Sequence, residues 1–202
     1  MLRDYGITIG CAILFGFLIR TFVLQTFLVP NLIMKPTLLA GDTVFAAKWP
    51  FWFQTSKTPE RGDIIIFSNP EQPAKPHRDF VKRVIALPGD EVSISGGHIR
   101  VNGKSLATRP ESSASPTRKD DCFAEKQSND REYSVCGLPA DLAHQKVPDH
   151  SILVLGDFRS FQKQKAILIR ISSIKGKALW VCPSALHGGS FFHPRSWLHK
   201  II

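Results

Sequence analysis

The chain has 202 residues, of which 43% are hydrophobic and 21% are charged. This composition excludes a disordered chain and provides enough apolar residues for one domain with a buried core. The formal net charge of +9 predicts a basic surface, which suits an anionic membrane. Nucleic acid is the other partner that this charge favours. The sequence contains no helix-turn-helix, zinc-finger or RNA-binding motif, so we do not expect nucleic-acid binding.

The first predicted element is an apolar segment from Ile7 to Val29. A bilayer requires about 20 apolar residues, and a span that runs on to Leu28 provides them. The segment ends in Phe-Leu-Val-Pro, whereas a cleavable signal peptide ends in small residues. We therefore expect an uncleaved, single transmembrane helix within residues 1–28, followed by one domain over residues 29–202.

Two strands are predicted next, from Asp42 to Ala47 and within RGDIIIFSNP, Arg61 to Pro70. The second is a β-branched run between a turn and a proline, which is typical of a buried strand. Four aromatic residues lie between the two strands, in the sequence Trp-Pro-Phe-Trp-Phe of residues 49–53. They are either core residues or an aromatic patch at the membrane interface, where amphipathic rings are favoured.

The stretch DFVKRVIALPGDEV, from Asp79 to Val92, predicts a strand that carries a lysine on its inner face. Alternation places Phe80, Lys82 and Val84 on the same side. A lysine between two apolar neighbours on an inward face loses its hydration, which disfavours the charged form and lowers its pKa. Such an amine can act as a general base near neutral pH. The alternative is an ordinary solvent-exposed lysine.

The next stretch, EVSISGGHIRVNGKSL, predicts a hairpin with a Gly-Gly turn. Residues 107–146 are polar and predict a long insertion loop or a small subdomain. Cys122 and Cys136 flank a polar loop in this region, and a disulfide between them would be natural outside the cytoplasm. The stretch SILVLGDFR, from Ser151 to Arg159, predicts a strand that ends in a tight turn.

Four stretches in this order resemble the conserved boxes of the type I signal peptidases. The family's first box reads P-S-x-S-M-x-P-T-L followed by G-D, and it is matched at Pro30, Met34, Pro36, Thr37, Leu38, Gly41 and Asp42. Its boxes R-G-D-V-V-V-F, Y-I-K-R-V-x-G-L-P-G-D and F-V-M-G-D-N-R resemble the stretches that begin at Arg61, Asp79 and Ser151. The resemblance implies a mainly β, antiparallel domain outside the bacterial cytoplasmic membrane. The activity that it implies is removal of signal peptides from exported preproteins by a Ser–Lys dyad.

The resemblance also assigns site residues, and it does so with one conflict. The general base falls on Lys82, but the nucleophilic serine falls on Ile33, which has no hydroxyl. Asn31 replaces a serine that donates to the oxyanion, and an amide can donate such a bond too. The serine that orients the lysine falls on Gln162, and the acidic residue that follows falls on Gln164.

The remaining motif positions are expected to be structural. They are Met34, Pro36, Asp157 and Arg159. Asp157 lies at a strand end, where an aspartate is a turn former more often than an acid catalyst. Thr37 is a conceivable substitute nucleophile, although the resemblance gives this threonine a structural role.

We therefore expect a signal-peptidase homologue that cleaves poorly or not at all and that binds exported preproteins beside membrane lipid. Two alternatives stay open: an active peptidase with an unusual nucleophile, and a basic protein that binds membrane surfaces or nucleic acid. No cofactor and no metal are expected. Three histidines near the C-terminus do not have the spacing of zinc ligands; they are His187, His193 and His199.

Overall fold

The fold is taken from a computed structural model, which describes residues 2–22, 24–48, 59–68, 79–110, 122–127, 129–160, 164–184 and 199–200. The predicted aromatic patch lies outside these residues, as do Gln162, His187 and His193.

The described chain is one helix followed by short β-strands. The helix is α1 (Leu2–Phe22). The strands are β1 (Leu24–Leu28), β2 (Thr43–Ala47), β3 (Ile64–Ser68), β4 (Asp79–Ala86), β5 (Glu91–Ser95), β6 (His98–Val101), β7 (Lys104–Ser105), β8 (Ala107–Pro110), β9 (Cys122–Lys126), β10 (Glu132–Cys136), β11 (Leu142–Lys146), β12 (Ser151–Leu155), β13 (Ile167–Arg170), β14 (Ile174–Cys182) and β15 (His199–Lys200). A 3₁₀ helix, Ile171–Ser173, connects β13 to β14. The mainly β class predicted from the sequence is confirmed.

The strands form three antiparallel sheets. The largest has the order β1-β2-β14-β3-β4-β12-β13, with β15 paired to β14. The second has the order β11-β5-β6-β7, and the third has the order β10-β9-β8. Strand β3 is central in the first sheet, and its residues Ile64 to Phe67 are almost completely buried. This agrees with the β-branched run that predicted a buried strand.

The apolar N-terminal segment divides into two elements rather than forming one. Helix α1 ends at Phe22, and Leu24–Leu28 form strand β1, which pairs in register with β2. The prediction of one transmembrane helix that runs on to Leu28 is therefore wrong. The final residues of that span belong to the first sheet, and Phe27 is only 9% exposed there. Within the described residues, no helix is both long enough and apolar enough to span a membrane.

Residues 107–146 also divide between two sheets. Strands β8, β9 and β10 form the third sheet, whereas β11 pairs with β5 of the second. The predicted insertion loop or small subdomain over this range stays a prediction; the structure shows three of its strands in one sheet and its last strand in a neighbouring sheet. The disulfide between Cys122 and Cys136 is present and links β9 to β10 at paired positions. The predicted β5–β6 hairpin is confirmed. Gly96 and Gly97 both have positive φ in its turn, at 56° and 83°.

A buried ion pair connects the third sheet to the loop after β12. The guanidinium of Arg159 donates to both carboxylate oxygens of Glu125, at 2.6 and 2.7 Å, and each residue is at most 2% exposed. The hydroxyl of Tyr133 donates to the same carboxylate at 2.7 Å. Backbone bonds add to this contact, since the Cys136 N–H donates to the Asp157 carbonyl and the Arg159 N–H donates to the Cys136 carbonyl. The third sheet therefore supports the turn that follows β12.

We expect the Glu125→Gln variant to lose about 3–5 kcal/mol of unfolding free energy, because it leaves the buried Arg159 guanidinium without its anion. Urea unfolding of the purified protein measures this loss. The matched control is Glu132→Gln. Glu132 pairs with Arg109 at 2.9 Å on the surface, and its replacement should cost less than about 1 kcal/mol. Equal losses in the two variants would contradict the structural role assigned to the buried pair.

Candidate active site

A cleft of about 620 Å³ lies between the first strand and the beginning of β4. One wall consists of residues 25–31, and the opposite wall consists of residues 79–82. Ile33 and Met34 complete the lining. Two candidate residues from the sequence lie in these walls, Asn31 in one and Lys82 in the other, and the fold brings the two walls together.

Both walls present backbone edges that no other described strand covers. Strand β1 is the end strand of its sheet and pairs only with β2. Residues 79–82 pair with β3 on one side, while β12 pairs with β4 only from Arg83 onward. Unpaired strand edges are the usual place for an extended peptide to add to a sheet.

The side chain of Lys82 lies buried in this cleft. The residue is 4% exposed. On the same strand face, Val84 belongs to an apolar cluster and Phe80 packs against that cluster. The Nζ atom donates a hydrogen bond to Gln164 Oε1 at 2.8 Å. Burial lowers the pKa of Lys82 to about 8, because the apolar surroundings disfavour the ammonium form. The predicted inward, desolvated lysine is confirmed, while its catalytic role stays a prediction.

Ile33 lies close to Gly156, as does the side chain of Gln164. Its carbonyl accepts a hydrogen bond from the Phe158 N–H at 2.9 Å. A Cβ atom at Gly156 would lie 2.7 Å from Ile33 Cγ2 and 3.2 Å from Gln164 Oε1. A side chain at residue 156 would therefore collide with Ile33, so glycine lets the Ile33 loop pack closely on this turn, near the carboxamide that holds Lys82. The side chain at this position is a hydrocarbon and offers no atom that could attack a carbonyl.

Asn31 turns its side chain toward its own backbone. The residue is exposed, and its Oδ1 accepts a hydrogen bond from the Ile33 N–H at 3.2 Å. This is the local Asx bond by which asparagine stabilises a turn. The amide oxygen thus occupies the backbone N–H of Ile33, the residue on which the resemblance places the nucleophile. The expected role of Asn31 as an oxyanion donor stays a prediction.

Thr37 makes its hydrogen bonds away from Lys82. Its hydroxyl donates to Asp157 Oδ2 at 2.5 Å and accepts from Arg83 Nη2 at 3.2 Å. With these two bonds, the hydroxyl holds the loop of Thr37 to the turn after β12. The geometry favours the structural role over that of a replacement nucleophile.

The four structural motif residues lie around this loop. Arg83 donates to both carboxylate oxygens of Asp157, at 2.9 and 2.6 Å, and both residues are buried. Met34 is 1% exposed within an apolar cluster, and the Lys35–Pro36 peptide bond is cis. Arg159 makes the buried pair with Glu125 described above.

Two contacts of the site were not predicted from the sequence. Lys82 donates to Gln164, the residue on which the resemblance places the family's acidic residue, while the expected role of Gln162 lies outside the described residues and stays a prediction. Glu125 was expected in a polar insertion, although this residue is 1% exposed. Gln164 lies in a connection without periodicity, so its contact with Lys82 could not be predicted from the sequence pattern. A strand alternation in residues 122–126 is the one signal that could have indicated an inward Glu125.

Among the residues that the structure describes, no group of three or more His, Cys, Asp or Glu side chains could hold a metal ion.

Comparisons with known proteins give a consistent result. Residues 2–181 match the family described as "Signal peptidase, peptidase S26". A probable signal peptidase I-2 from Synechocystis is 34% identical over 160 residues, which are 78% of this chain and 61% of that protein. A signal peptidase I from Leptolyngbya laminosa is 33% identical over 159 residues, 76% of this chain and 64% of that protein. A signal peptidase I P from Bacillus subtilis subsp. natto is 31% identical over 156 residues, 77% of this chain and 74% of that protein.

The chain spans less than two thirds of the length of the first two of these relatives. A solved signal peptidase I from Enterococcus faecalis has 24% identity and a TM-score of 0.34, over 59% of this chain and 96% of that one.

The lowered pKa of Lys82 predicts that its neutral, reactive amine predominates above pH about 8, whereas an ordinary lysine needs pH above about 10.4. Trace labelling with acetic anhydride over a pH series, read by peptide mass spectrometry, measures the midpoint. The reference in the same solution is a lysine whose α-amine and α-carboxyl are blocked and whose ε-amine is free. A Lys82 midpoint that coincides with the reference would show that the ammonium is not desolvated in the cleft.

Proposed function

The chain belongs to the type I signal peptidase family, and we propose that it binds extended segments of exported preproteins but cleaves them poorly or not at all. The observation that carries this proposal is the hydrocarbon side chain of Ile33 beside the contact between Lys82 and Gln164.

The chemistry of the family explains why this position matters. In the mechanism that the resemblance implies, a serine hydroxyl attacks the scissile carbonyl while the lysine accepts its proton, and water then hydrolyses the acyl-enzyme. Lys82 has the burial and the lowered pKa that a general base requires. With Ile33 at the nucleophile position, that base has no hydroxyl at residue 33 to deprotonate, and its described hydrogen bond goes to the carboxamide of Gln164.

The cleft supports peptide binding without cleavage. Residues 25–28 and 79–82 both present open strand edges to it. A segment in extended conformation would pair with these edges through its backbone, and its alternate side chains would face the lining. The preprotein region near a signal-peptide junction is such a segment, and it is the ligand that membership of the family suggests.

We further propose attachment through α1 to the bacterial cytoplasmic membrane, with the β-domain on the outer side. Large apolar side chains along the helix are exposed by 59–69%; they are Tyr5, Ile7, Ile9, Ile13, Leu14, Phe15 and Phe17. They do not pack on the domain, and a lipid environment would bury them. The disulfide between Cys122 and Cys136 supports an oxidising compartment outside the cytoplasm.

Incubation of the full-length protein in detergent with a preprotein tests the catalytic proposal. We expect no mature product during a period in which a competent signal peptidase I completes the reaction, because none of the described residues places a nucleophile beside Lys82. The matched variant is Lys82→Ala, which shows whether any trace of product depends on the base. Robust cleavage that this variant abolishes would refute the proposal.

Ile33→Ser and Ile33→Ala are companion variants in the same assay. The serine restores the missing hydroxyl, but Lys82 still donates to Gln164, and Asn31 still occupies the backbone N–H of residue 33. The occupied N–H of residue 33 is then lost as a donor to the oxyanion. Loss of one such donor lowers the rate of cleavage by a factor of about 100 or more, so only slow cleavage should return. The alanine variant should stay inactive. Full activity of the serine variant would show that the altered partners matter little.

Extraction of cell membranes with alkaline carbonate tests the attachment. The intact chain should remain with the membrane, because the apolar side chains of α1 would be exposed to water on release. External protease added to spheroplasts should then digest the β-domain. Recovery of the chain in the carbonate supernatant would contradict attachment by α1, and protection from the protease would contradict the proposed orientation.

A further inference from the structure

Lys82 differs from the other buried cations near the cleft, because it has no anionic partner among the described residues. Arg83 pairs with Asp157 and Arg159 pairs with Glu125. The described hydrogen bond of Lys82 goes instead to the neutral carboxamide oxygen of Gln164. A buried charge without a counter-charge is costly, so this ammonium is a site where an anion would be stabilised.

The charged groups around the cleft do not supply that anion. Asp79 lines the same wall, three residues before Lys82, but it bonds to Lys175 Nζ at 2.5 Å. Three residues of strand span about 10 Å, which separates this carboxylate from the Lys82 end. Arg83 points to the opposite face of the strand, toward Asp157. Lys82 lines the cleft, and none of the described charged groups neutralises its ammonium, so this end of the cleft is positive.

The cleft itself limits the ligand to an extended chain. Its walls are the strand edges of residues 25–28 and 79–82, which pair with backbone rather than with a compact solute. An internal peptide bond at Lys82 would bring no charge. A chain that ends there would bring an α-carboxylate, which is ionised at neutral pH because its ordinary pKa is about 3.5.

We propose that Lys82 binds the C-terminal carboxylate of an extended peptide that lies along the cleft, so that the preferred ligand is a cleaved segment rather than an uncleaved preprotein. This inference rests on the proposed binding of extended peptides by the same cleft. It adds the chemical group at the end of the bound peptide, which is an α-carboxylate. The hydrocarbon side chain of Ile33 suits this role, because no hydroxyl competes for the ammonium or attacks the bound chain. Ammonium–carboxylate bonds are short and about twice as strong as neutral ones.

Two fluorescent peptides test the proposal by polarisation. Both are apolar, identical in sequence and end in Ala-Gln-Ala, one with a free α-carboxylate and the other with a C-terminal amide. The full-length protein in detergent should bind the free acid at least about tenfold more tightly, which is the range of a hydrogen bond between charged groups. This comparison needs no variant, so it does not depend on the folding of one.

Variants then locate the effect. Lys82→Met removes the charge with little change in shape, and the preference for the free acid should vanish. Lys146→Met is the matched control, since Lys146 is exposed on β11 of the second sheet and should leave the tenfold preference intact. Thermal unfolding establishes that both variants are folded.

The outcomes separate this inference from the proposed function. Equal affinity for acid and amide overturns the carboxylate site and leaves peptide binding by the cleft in place. A preference for the acid that persists in Lys82→Met assigns the carboxylate to another residue and also overturns the inference. Failure of both peptides to bind refutes peptide binding itself, and the inference with it.

Discussion

Burial of Lys82 on a central strand is the constraint from which the site follows. Alternation along β4 directs Lys82 into the cleft and the next residue, Arg83, to the opposite face. There Arg83 holds Asp157, and Asp157 in turn accepts from Thr37. One pair of adjacent residues therefore includes the buried lysine of the cleft and fixes the loop that carries Ile33. A shift of register by one residue would exchange the two faces and disrupt both features.

The loop around Ile33 is held by its backbone, which explains how the site geometry survives without a serine. The Ile33 carbonyl accepts from the Phe158 N–H, and the loop packs on Gly156 so closely that a Cβ would not fit. None of these contacts uses a hydroxyl at position 33. The fold therefore tolerates a hydrocarbon there. In the proposed function, it is acyl transfer that would need a hydroxyl at this residue.

The sequence predicted those features that arise from local pattern. Alternation placed Lys82 on one strand face with Phe80 and Val84, and the resemblance favoured that face as the inner one. A Gly-Gly pair was enough to locate the β5–β6 turn. Features that depend on distant partners were missed. Gln164 is 82 residues from Lys82 and has no periodic context. The strand Leu24–Leu28 continues an apolar run, and an apolar run does not distinguish a helix from a strand that packs on a sheet.

In the function proposed above, Lys82 is a base for which no described residue places a hydroxyl that could attack a peptide carbonyl. The most direct measurement is covalent trapping with an extended apolar peptide that ends in an activated acyl group, followed by peptide mass spectrometry of the full-length protein. The account predicts that no serine or threonine becomes acylated and that any adduct is an amide on Lys82. An ester on a serine or threonine hydroxyl, formed in the native chain and lost in Lys82→Met, would contradict it.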